Sequence, residues 1–364
     1  MYKRELEILA RKGRYRERRR IPAEGVDLAS NDYLGLAEVP EIGERAFARL
    51  QTYRKRGAGA SMVVGGYHPA HQLLEERFAQ LNRFEDGVVV GSGFLGNLAL
   101  FQLPRRRDLV LVDRDYHASG IVGSRLTQGE VYFFPHNSPK GYKKLLETLP
   151  LHRYRRIFTF VEGIYSMGGE LVEEEICQIA QKIGYLVIDE AHSVGVVGES
   201  LLGVTQLYDL NPHRTIKLGT LGKALGSYGG YILGTEEVIK YLINRAKSLI
   251  YTTALSPFDT LYAFEAMEYI QNHLQTFKEK IAIRSTHFQT PSLIKMIPAP
   301  SISTLLQKGK KLEEIGVWVG TIRPPTLPTP HFRVILRTPI PLEIIQRVVE
   351  FLTSPEGRTP QIWH

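Results

Sequence analysis

The residues with the clearest chemical potential are an aspartate, a histidine and a lysine that follow two apolar runs. Asp189 ends the run YLVID and His192 lies three residues later, while Lys223 stands on a glycine-containing turn after the run TIKLGT. A lysine amine can form a Schiff base with an aldehyde, and a carboxylate can pair with a pyridinium nitrogen and keep its ring electron-withdrawing. This combination predicts a site for pyridoxal phosphate.

A glycine-rich turn offers a place for a phosphate group. Gly91 to Gly96 match G-x-G-x-x-G, follow the apolar run VVV and open a helical pattern, and Asp113 ends the next apolar run. That spacing also fits a dinucleotide site, in which the acid binds a ribose hydroxyl. About 87 residues precede the turn, whereas the dinucleotide motif usually opens its domain. Because N–H groups at a helix N-terminus bind any phosphate, we interpret the turn as a phosphate site, with a dinucleotide or a ligand-free turn as alternatives.

The stretch Asp189 to His192 also matches the DEAH box of helicases. A nucleic-acid motor needs G-x-x-x-x-G-K-[ST] in addition, to bind the phosphates and place the metal ion. Gly222 and Lys223 are followed by Ala224, and position 217 is lysine where that motif needs glycine. The sequence therefore argues against a helicase.

Composition is typical of a folded protein in a reducing compartment. Hydrophobic residues make up 43% of the 364 residues, and the single cysteine, Cys177, can form neither an internal disulfide nor a multi-cysteine zinc site. No stretch approaches about 18 consecutive apolar residues, the length that a membrane span requires. The N-terminus lacks the apolar segment of a secretory signal. These features predict a cytoplasmic protein with no membrane association and no metal site.

The positive charge of the chain is concentrated at its N-terminus. The net charge is +8, and the first twenty residues hold nine Lys or Arg and three Glu, which is +6 of that total. Such an arm can bind nucleic acid, an acidic protein or an anionic substrate, or it can be a solvated helix. Leu6, Leu9 and Ala10 form one apolar stripe and predict a short amphipathic helix.

The pattern between about 85 and 235 predicts the element that positions the site residues. Six apolar runs, at 88–93, 109–113, 157–162, 185–190, 215–220 and 231–235, read as buried strands, and stretches such as KGYKKLLETL and VEEEICQIAQKIG suit helices. Apolar strands separated by helices predict an α/β fold with a mostly parallel sheet sandwiched by helices. Ligands of such sheets bind beyond the carboxyl ends of the strands, where these polar residues stand.

Beyond about 270 the pattern changes to that of a smaller α+β domain. Proline-rich loops (PAPSIS, RPPTLPTP) precede a predicted strand, FRVILR, and a predicted helix, PLEIIQRVVEFLTS. We therefore expect an N-terminal segment over 1–45 that packs on the small domain, a large domain over 46–265 and a small C-terminal domain over 266–364.

Taken together, these motifs resemble the α-oxoamine synthases, a family of fold-type I pyridoxal phosphate enzymes. The resemblance runs from about Arg18 to Arg333 and includes NDYLG from Asn31, GAGASMVVGGYHPAHQLLEE, SGFLGN, DYHAS around His117, EGIYSMGG from Glu162, IDEAHSVGVVG, GTLGKALGSYGG and YTTALSP. It implies the fold-type I transferase fold.

The resemblance also implies roles for individual residues. Lys223 would be the Schiff-base lysine and the base for the substrate Cα proton, Asp189 would bind the pyridinium nitrogen, and His192 would bind the ring's phenolic oxygen. His117 would stack on the ring. Further cofactor contacts are implied for Gly93, Phe94, Glu162, Ser166 and Thr220, and for Thr253, which would reach the phosphate from the second subunit of a homodimer with shared sites.

Within the family, the segment IRPPTLP at 322–328 resembles the branch that condenses L-alanine with a pimeloyl thioester, releases carbon dioxide and commits carbon to biotin. Arg323 would capture a carboxylate, assisted by Asn31, while Thr326 would border the acyl path and Arg18 would meet the acyl substrate. Acyl carrier protein and coenzyme A are both acidic carriers, which the basic arm could attract. Relatives often have R-L-R where this chain has Arg333-Val-Ile335, so a second arginine is expected to be missing.

Three alternatives differ in their requirements. A sister synthase that uses glycine or serine with another acyl thioester would keep the fold and cofactor. A NAD-dependent oxidoreductase would use Gly91–Gly96 and Asp113 and would carry no chromophore of its own. A basic nucleic-acid-binding protein would not explain the combination of Asp189 and Lys223, so we expect no nucleic-acid partner.

Overall fold

The computed structural model describes residues 1–355 and 362. Its strands are β1 (Val26–Leu28), β2 (Asp86–Val90), β3 (Asp108–Asp113), β4 (Glu130–Phe134), β5 (Arg156–Glu162), β6 (Tyr185–Asp189), β7 (Thr215–Thr220), β8 (Gly230–Gly234), β9 (Ile294–Pro298), β10 (Val317–Ile322) and β11 (His331–Ile335). Its helices are α1 (Lys3–Arg11), α2 (Pro40–Gln51), α3 (Pro69–Asn82), α4 (Gly93–Leu100), α5 (Ala118–Gly123), α6 (Pro139–Thr148), α7 (Glu174–Ile183), α8 (Val204–Leu207), α9 (Glu236–Arg245), α10 (Lys247–Ile250), α11 (Pro257–Asn272), α12 (Leu274–Phe288), α13 (Ile302–Glu314) and α14 (Leu342–Thr353).

The larger sheet has seven strands in the order β2-β8-β7-β6-β5-β3-β4. The neighbours from β7 to β4 pair in parallel, and β8 runs antiparallel to both β2 and β7. Successive residues of β3 alternate between two cores, with Val110 in one and Leu109 in the other, because side chains of a strand point alternately to opposite faces. The predicted mostly parallel sheet is confirmed.

The edge strand β4 was absent from the sequence-based prediction. Its five residues are mostly half-buried or exposed, and only Phe134 is fully buried. Its run VYFF at 131–134 is as apolar as the runs of the central strands, so the strand was missed although its signal was present.

The smaller sheet has four strands in the order β1-β10-β11-β9. The N-terminal β1 pairs in parallel with β10, whereas β10, β11 and β9 pair antiparallel. The segment around β1 therefore packs with the C-terminal part of the chain. The domain boundaries near 45 and 265 stay a prediction, and the end of the predicted small domain, 356–361 and 363–364, lies outside the described residues.

The N-terminal helix α1 is solvated. None of its residues is buried, and Leu6, Ile8 and Leu9 are between 39% and 46% exposed. No helix of the described residues is both long and apolar enough to span a membrane.

Candidate active site

The carboxyl ends of three neighbouring parallel strands supply the centre of the site. Glu162 ends β5 and is the register partner of Asp189, which ends β6, and Thr220 ends the adjacent β7. The turn after β7 carries Lys223 and then reverses through Gly226, which has φ of +62° and lies so close to the chain at Ala37 that a Cβ would stand 2.4 Å from its backbone nitrogen. Parallel pairing therefore places residues far apart in sequence at one sheet edge.

These strand ends surround a cavity of about 180 Å³. Most of the residues expected from the sequence line it: Gly93, Phe94, His117, Glu162, Asp189, His192, Thr220 and Lys223. Asn97, Ser119 and Ala191 line it as well.

Lys223, His192 and Tyr33 form a chain of hydrogen-bonded side chains. Its Nζ lies 2.7 Å from His192 Nε2, and His192 Nδ1 lies 2.5 Å from the hydroxyl of Tyr33. Loss of solvent lowers the pKa of Lys223 to about 8, helped by Arg333 and opposed by the nearby carboxylates. A lysine amine with this pKa is partly neutral at physiological pH and can act as a nucleophile or a base.

His192 is buried and is held neutral. Burial first, and then the positive charges of Lys223 and Arg333, lower its pKa well below the usual value. A neutral imidazole has one donor and one acceptor nitrogen, so it can link Tyr33 to Lys223 without adding charge.

Asp189 is fixed by an asparagine that the sequence analysis did not single out. Asn97 Nδ2 donates to Asp189 Oδ2 at 2.8 Å, and the backbone N–H of Ala191 donates to Oδ1 at 3.0 Å. Asn97 is itself held by Tyr116, whose hydroxyl donates to Oδ1 at 2.7 Å, and its Nδ2 also reaches Ser119. Asn97 lies inside the motif SGFLGN, and its position one helical turn from Gly93 was the available signal.

Two buried polar atoms at the site have no hydrogen-bond partner among the described residues. One is Glu162 Oε1, whose other oxygen accepts from the backbone N–H of Ser166 at 3.1 Å. The other is Nη2 of Arg333, which is not among the site residues expected from the sequence. Burial, and then the charge of Asp189, raise the pKa of Glu162 to about 8. Because buried polar groups are almost always paired, these atoms indicate a polar ligand.

Arg333 is the main addition that the structure makes to the predicted site. Its Nε donates to Ser166 O and its Nη1 donates to Asn31 Oδ1, both at 2.9 Å. Position 335, where relatives often have a second arginine, holds Ile335, which is buried in the core of the small sheet, whereas Arg333 lies near enough to Lys223 and His192 to lower their pKa values.

Arg323 lies in a second pocket, and it is not among the residues that line the Lys223 cavity. Its Nε donates to Gly13 O at 2.6 Å and its Nη2 donates to Tyr15 O at 2.8 Å, so it holds the N-terminal arm. Thr326 lines the same pocket of about 330 Å³ and accepts a hydrogen bond from Arg16 at 3.0 Å. Of the remaining expected residues, Arg18 and Thr253 are exposed.

The residues present fit pyridoxal phosphate. The cavity combines an amine, a carboxylate at a strand end, two histidines and the first turn of α4, whose N–H groups at Gly93 and Phe94 precede the helical hydrogen-bond pattern. The acid that a dinucleotide would need, Asp113, is buried and already accepts from His136, Tyr165 and backbone N–H groups. The geometry therefore disfavours the oxidoreductase alternative.

Comparisons with known proteins identify the family of the chain. Residues 23–352 match the family "Aminotransferase class I and II". The chain is 40% identical to 8-amino-7-oxononanoate synthases from two strains of Helicobacter pylori, one over 97% of both chains and the other over 92% of both. It is 37% identical to a putative 8-amino-7-oxononanoate synthase of Thermosynechococcus vestitus, over 86% of this chain and 83% of the relative.

Solved structures show the same fold. A serine palmitoyltransferase from S. paucimobilis with bound pyridoxal phosphate and myriocin superposes with a TM-score of 0.85 at 21% identity, covering 96% of this chain and 95% of that one. The 8-amino-7-oxononanoate synthase of Francisella tularensis gives 0.75 at 24% identity, covering 91% and 97%. With the fold-type I architecture and the identities above, the chain belongs to the 8-amino-7-oxononanoate synthase family of pyridoxal phosphate-dependent acyltransferases.

Proposed function

We propose that this protein condenses L-alanine with a pimeloyl thioester to give 8-amino-7-oxononanoate, carbon dioxide and the free thiol carrier, a step of biotin synthesis. The observation that carries the proposal is a lysine amine with lowered pKa that shares one site with a buried, incompletely paired arginine. An amino acid needs both groups: a base for its Cα proton and a cation for its carboxylate.

Bound pyridoxal phosphate would supply an electron-withdrawing ring that stabilises negative charge at the amino-acid Cα. Asp189, held by Asn97, would pair with the ring nitrogen, and His192 would bind the phenolic oxygen. His117 would lie against the ring, with its Nδ1 held 2.6 Å from Ser119 Oγ. The N–H groups at the start of α4 would take the phosphate.

Lys223 would move the Cα proton. Its amine is near enough to neutral at physiological pH to accept this proton and to return one later, because a base works best when its pKa is close to the working pH. His192, held neutral, lies within hydrogen-bond distance of the Lys223 amine and so helps to keep it in place.

Arg333 would bind the amino-acid carboxylate. Asn31 and Ser166 fix the guanidinium and leave Nη2 for the ligand, and a charge-assisted bond from a buried arginine to a carboxylate is among the stronger hydrogen bonds in proteins. In this assignment Asn31 assists, as expected, but through Arg333 in place of Arg323.

The pocket at Arg323 would bind the acyl substrate. Three arginines, Arg16, Arg19 and Arg323, line it together with a single carboxylate, Glu17, so positive charge is in excess there. An anionic group, such as the distal carboxylate of a pimeloyl chain or the phosphate of its carrier, would relieve that excess. The basic arm around Arg18 would attract an acidic acyl carrier protein or coenzyme A.

A second copy of the chain would complete the site. Thr253 is exposed and pairs through an isolated bridge with Ser61. Large apolar side chains nearby in sequence are exposed as well, with Val64 at 80% and Tyr251 at 79%. This supports a homodimer in which Thr253 reaches the partner's phosphate site, since exposed apolar surface often marks an interface.

The experiment is an assay of product formation from purified holoenzyme with L-alanine, glycine or L-serine and a pimeloyl thioester on coenzyme A or on acyl carrier protein. The proposal predicts 8-amino-7-oxononanoate from alanine, identified by mass, and none from Lys223→Ala. A preference for glycine or serine would refute the alanine assignment and favour a sister synthase.

A further inference from the structure

A second arginine of the same segment, Arg337, is buried in a cage of carboxylates that the proposed chemistry does not use. It is 1% exposed, four residues after Arg333. Nη2 donates to Asp32 Oδ2 at 2.9 Å and to Glu38 Oε1 at 2.6 Å, and Nη1 lies 3.5 Å from Asp27 Oδ2. Nε donates to the backbone oxygen of Asp32 at 2.8 Å.

The same carboxylates shape the segment that follows β1. Asp27 Oδ1 accepts from the backbone N–H groups of Ala29 and Ser30, both at 2.9 Å. Asp32 Oδ1 accepts from Leu36 N at 3.0 Å. Asp27 and Asp32 thus each bind the local backbone with one oxygen and Arg337 with the other, so one guanidinium holds the irregular segment that follows the end of β1 at Leu28.

Both neighbours of Asp32 reach the active site. Asn31 Oδ1 accepts from Arg333, and the hydroxyl of Tyr33 contacts His192, which contacts Lys223. Burial raises the pKa of Tyr33 to about 12, so its hydroxyl stays protonated. A shift of Asp32 would therefore move the supports of both the carboxylate-binding arginine and the lysine.

The cage is anchored from the other side as well. Thr338 N donates to Tyr33 O at 2.8 Å, so the residue after Arg337 binds the same segment. Arg284 of α12 donates to the backbone oxygens of Thr338 at 2.9 Å and Ile340 at 2.7 Å. The loop that presents Arg337 is consequently fixed in the small domain.

We propose that Arg337 is a positioning residue: by binding Asp27, Asp32 and Glu38 it sets the place of Asn31 and Tyr33, and through them of Arg333 and His192. This inference rests on the proposed function, in which Arg333 binds the amino-acid carboxylate. The pairing of buried Arg337 with two half-buried aspartates and the exposed Glu38 is weak evidence for a purely stabilising role, because replacing buried ion pairs by apolar groups is often neutral or stabilising.

The test compares Arg337→Met and Arg337→Lys with a matched control, Arg156→Met. Arg156 forms a bidentate pair with the buried Asp108, with Nη2 2.8 Å from Oδ2, at the amino ends of β3 and β5, opposite the site. The control therefore breaks a comparable ion pair without touching the segment 27–38.

The readouts are the thermal midpoint, the visible absorbance of the bound cofactor, the Kd for amino acid from the change in that absorbance, and the KM for the thioester. Because misplacement of a supporting group by about 1 Å can cost roughly a hundredfold, we expect Arg337→Met to weaken amino-acid binding by about ten- to a hundredfold. Arg337→Lys, which restores the charge without the planar fork, should recover only part of this loss. The thioester KM should change by less than about threefold, because Arg323 lies in another pocket.

Two results would overturn the inference: wild-type amino-acid affinity in Arg337→Met, or an equal loss of affinity in Arg156→Met at the same thermal midpoint. The comparison uses whichever amino acid the wild-type enzyme prefers, so failure of the alanine assignment leaves the test of Arg337 intact. If Arg337→Met does not fold, Arg337→Lys is compared with the wild type and with Arg156→Met in its place. Reduced amino-acid affinity in Arg337→Lys would then support the inference, and unchanged affinity would refute it.

Discussion

Replacing Arg333 by methionine separates the two arginines that compete for the role of carboxylate ligand. The substitution keeps most of the volume of the buried stem and removes the guanidinium that donates to Asn31 and Ser166. A hydrogen bond to a charged group contributes about 1.5–3 kcal/mol, so the loss of the bond to the substrate carboxylate should weaken alanine binding by roughly ten- to a hundredfold. Arg333 also lowers the pKa of the Lys223 amine, which is free in the complex with alanine, so the variant should shift the pH profile of kcat to higher pH.

The assay is steady-state kinetics in which alanine and the thioester are varied separately. Arg323→Met is the matched control: it should raise the thioester KM and leave the alanine KM within about threefold, because its loss costs a contact at the other pocket. The opposite pattern, with alanine affinity lost in Arg323→Met and kept in Arg333→Met, would refute the geometry and restore the expectation drawn from the sequence.

Three further outcomes are expected. The kcat should rise with pH through about 8, the pKa of the Lys223 amine, because this amine is free to act as a base only once alanine has displaced it from the Schiff base; a kcat profile flat from pH 6 to 9 would contradict this. Burial opposes protonation of His136, but its hydrogen bonds to Asp113 and Glu170 outweigh it and raise the pKa to about 10. The protonated His136 therefore stabilises the fold fully below about pH 6.5, and this contribution is lost as the pH rises to 10. In urea unfolding, His136→Asn should lower the free energy of unfolding more at pH 6 than at pH 10. Equal losses at the two pH values would refute the ion pairs. Asn97→Ala should weaken cofactor binding, measured by equilibrium dialysis against pyridoxal phosphate, and unchanged affinity would show that Asp189 needs no such support.

The central strands and the residues at their ends could be predicted from the sequence because both follow from local runs of apolar residues. Asp189, Glu162 and Thr220 follow apolar runs long enough to identify buried parallel strands, and residues at the carboxyl ends of such strands must share one edge. The match of several motifs in order then identified the family, which the comparisons confirm.

Side-chain contacts between segments distant in sequence could not be predicted from local sequence patterns. Arg333 donates to Asn31 across 302 positions, and neither spacing nor residue type indicates which of the arginines at 323, 333 and 337 lies close to Lys223. Arg323 is expected from its motif to bind a carboxylate, and the hydrogen bonds that the structure shows for its side chain go to Gly13 and Tyr15 of the N-terminal arm. Such pairings follow from the register of β10 and β11 and from the path of the chain after β1, which are properties of the tertiary fold.

The central claim is that one site combines a Schiff-base lysine with a cationic place for an amino-acid carboxylate. Absorbance of the purified protein with pyridoxal phosphate, titrated with L-alanine, glycine and L-serine, tests it most directly. We predict a visible band that is absent in Lys223→Ala, that responds to alanine at the lowest concentration, and that responds only at much higher alanine concentration in Arg333→Met. A folded protein without the band, or an Arg333→Met variant that titrates like the wild type, would contradict the account.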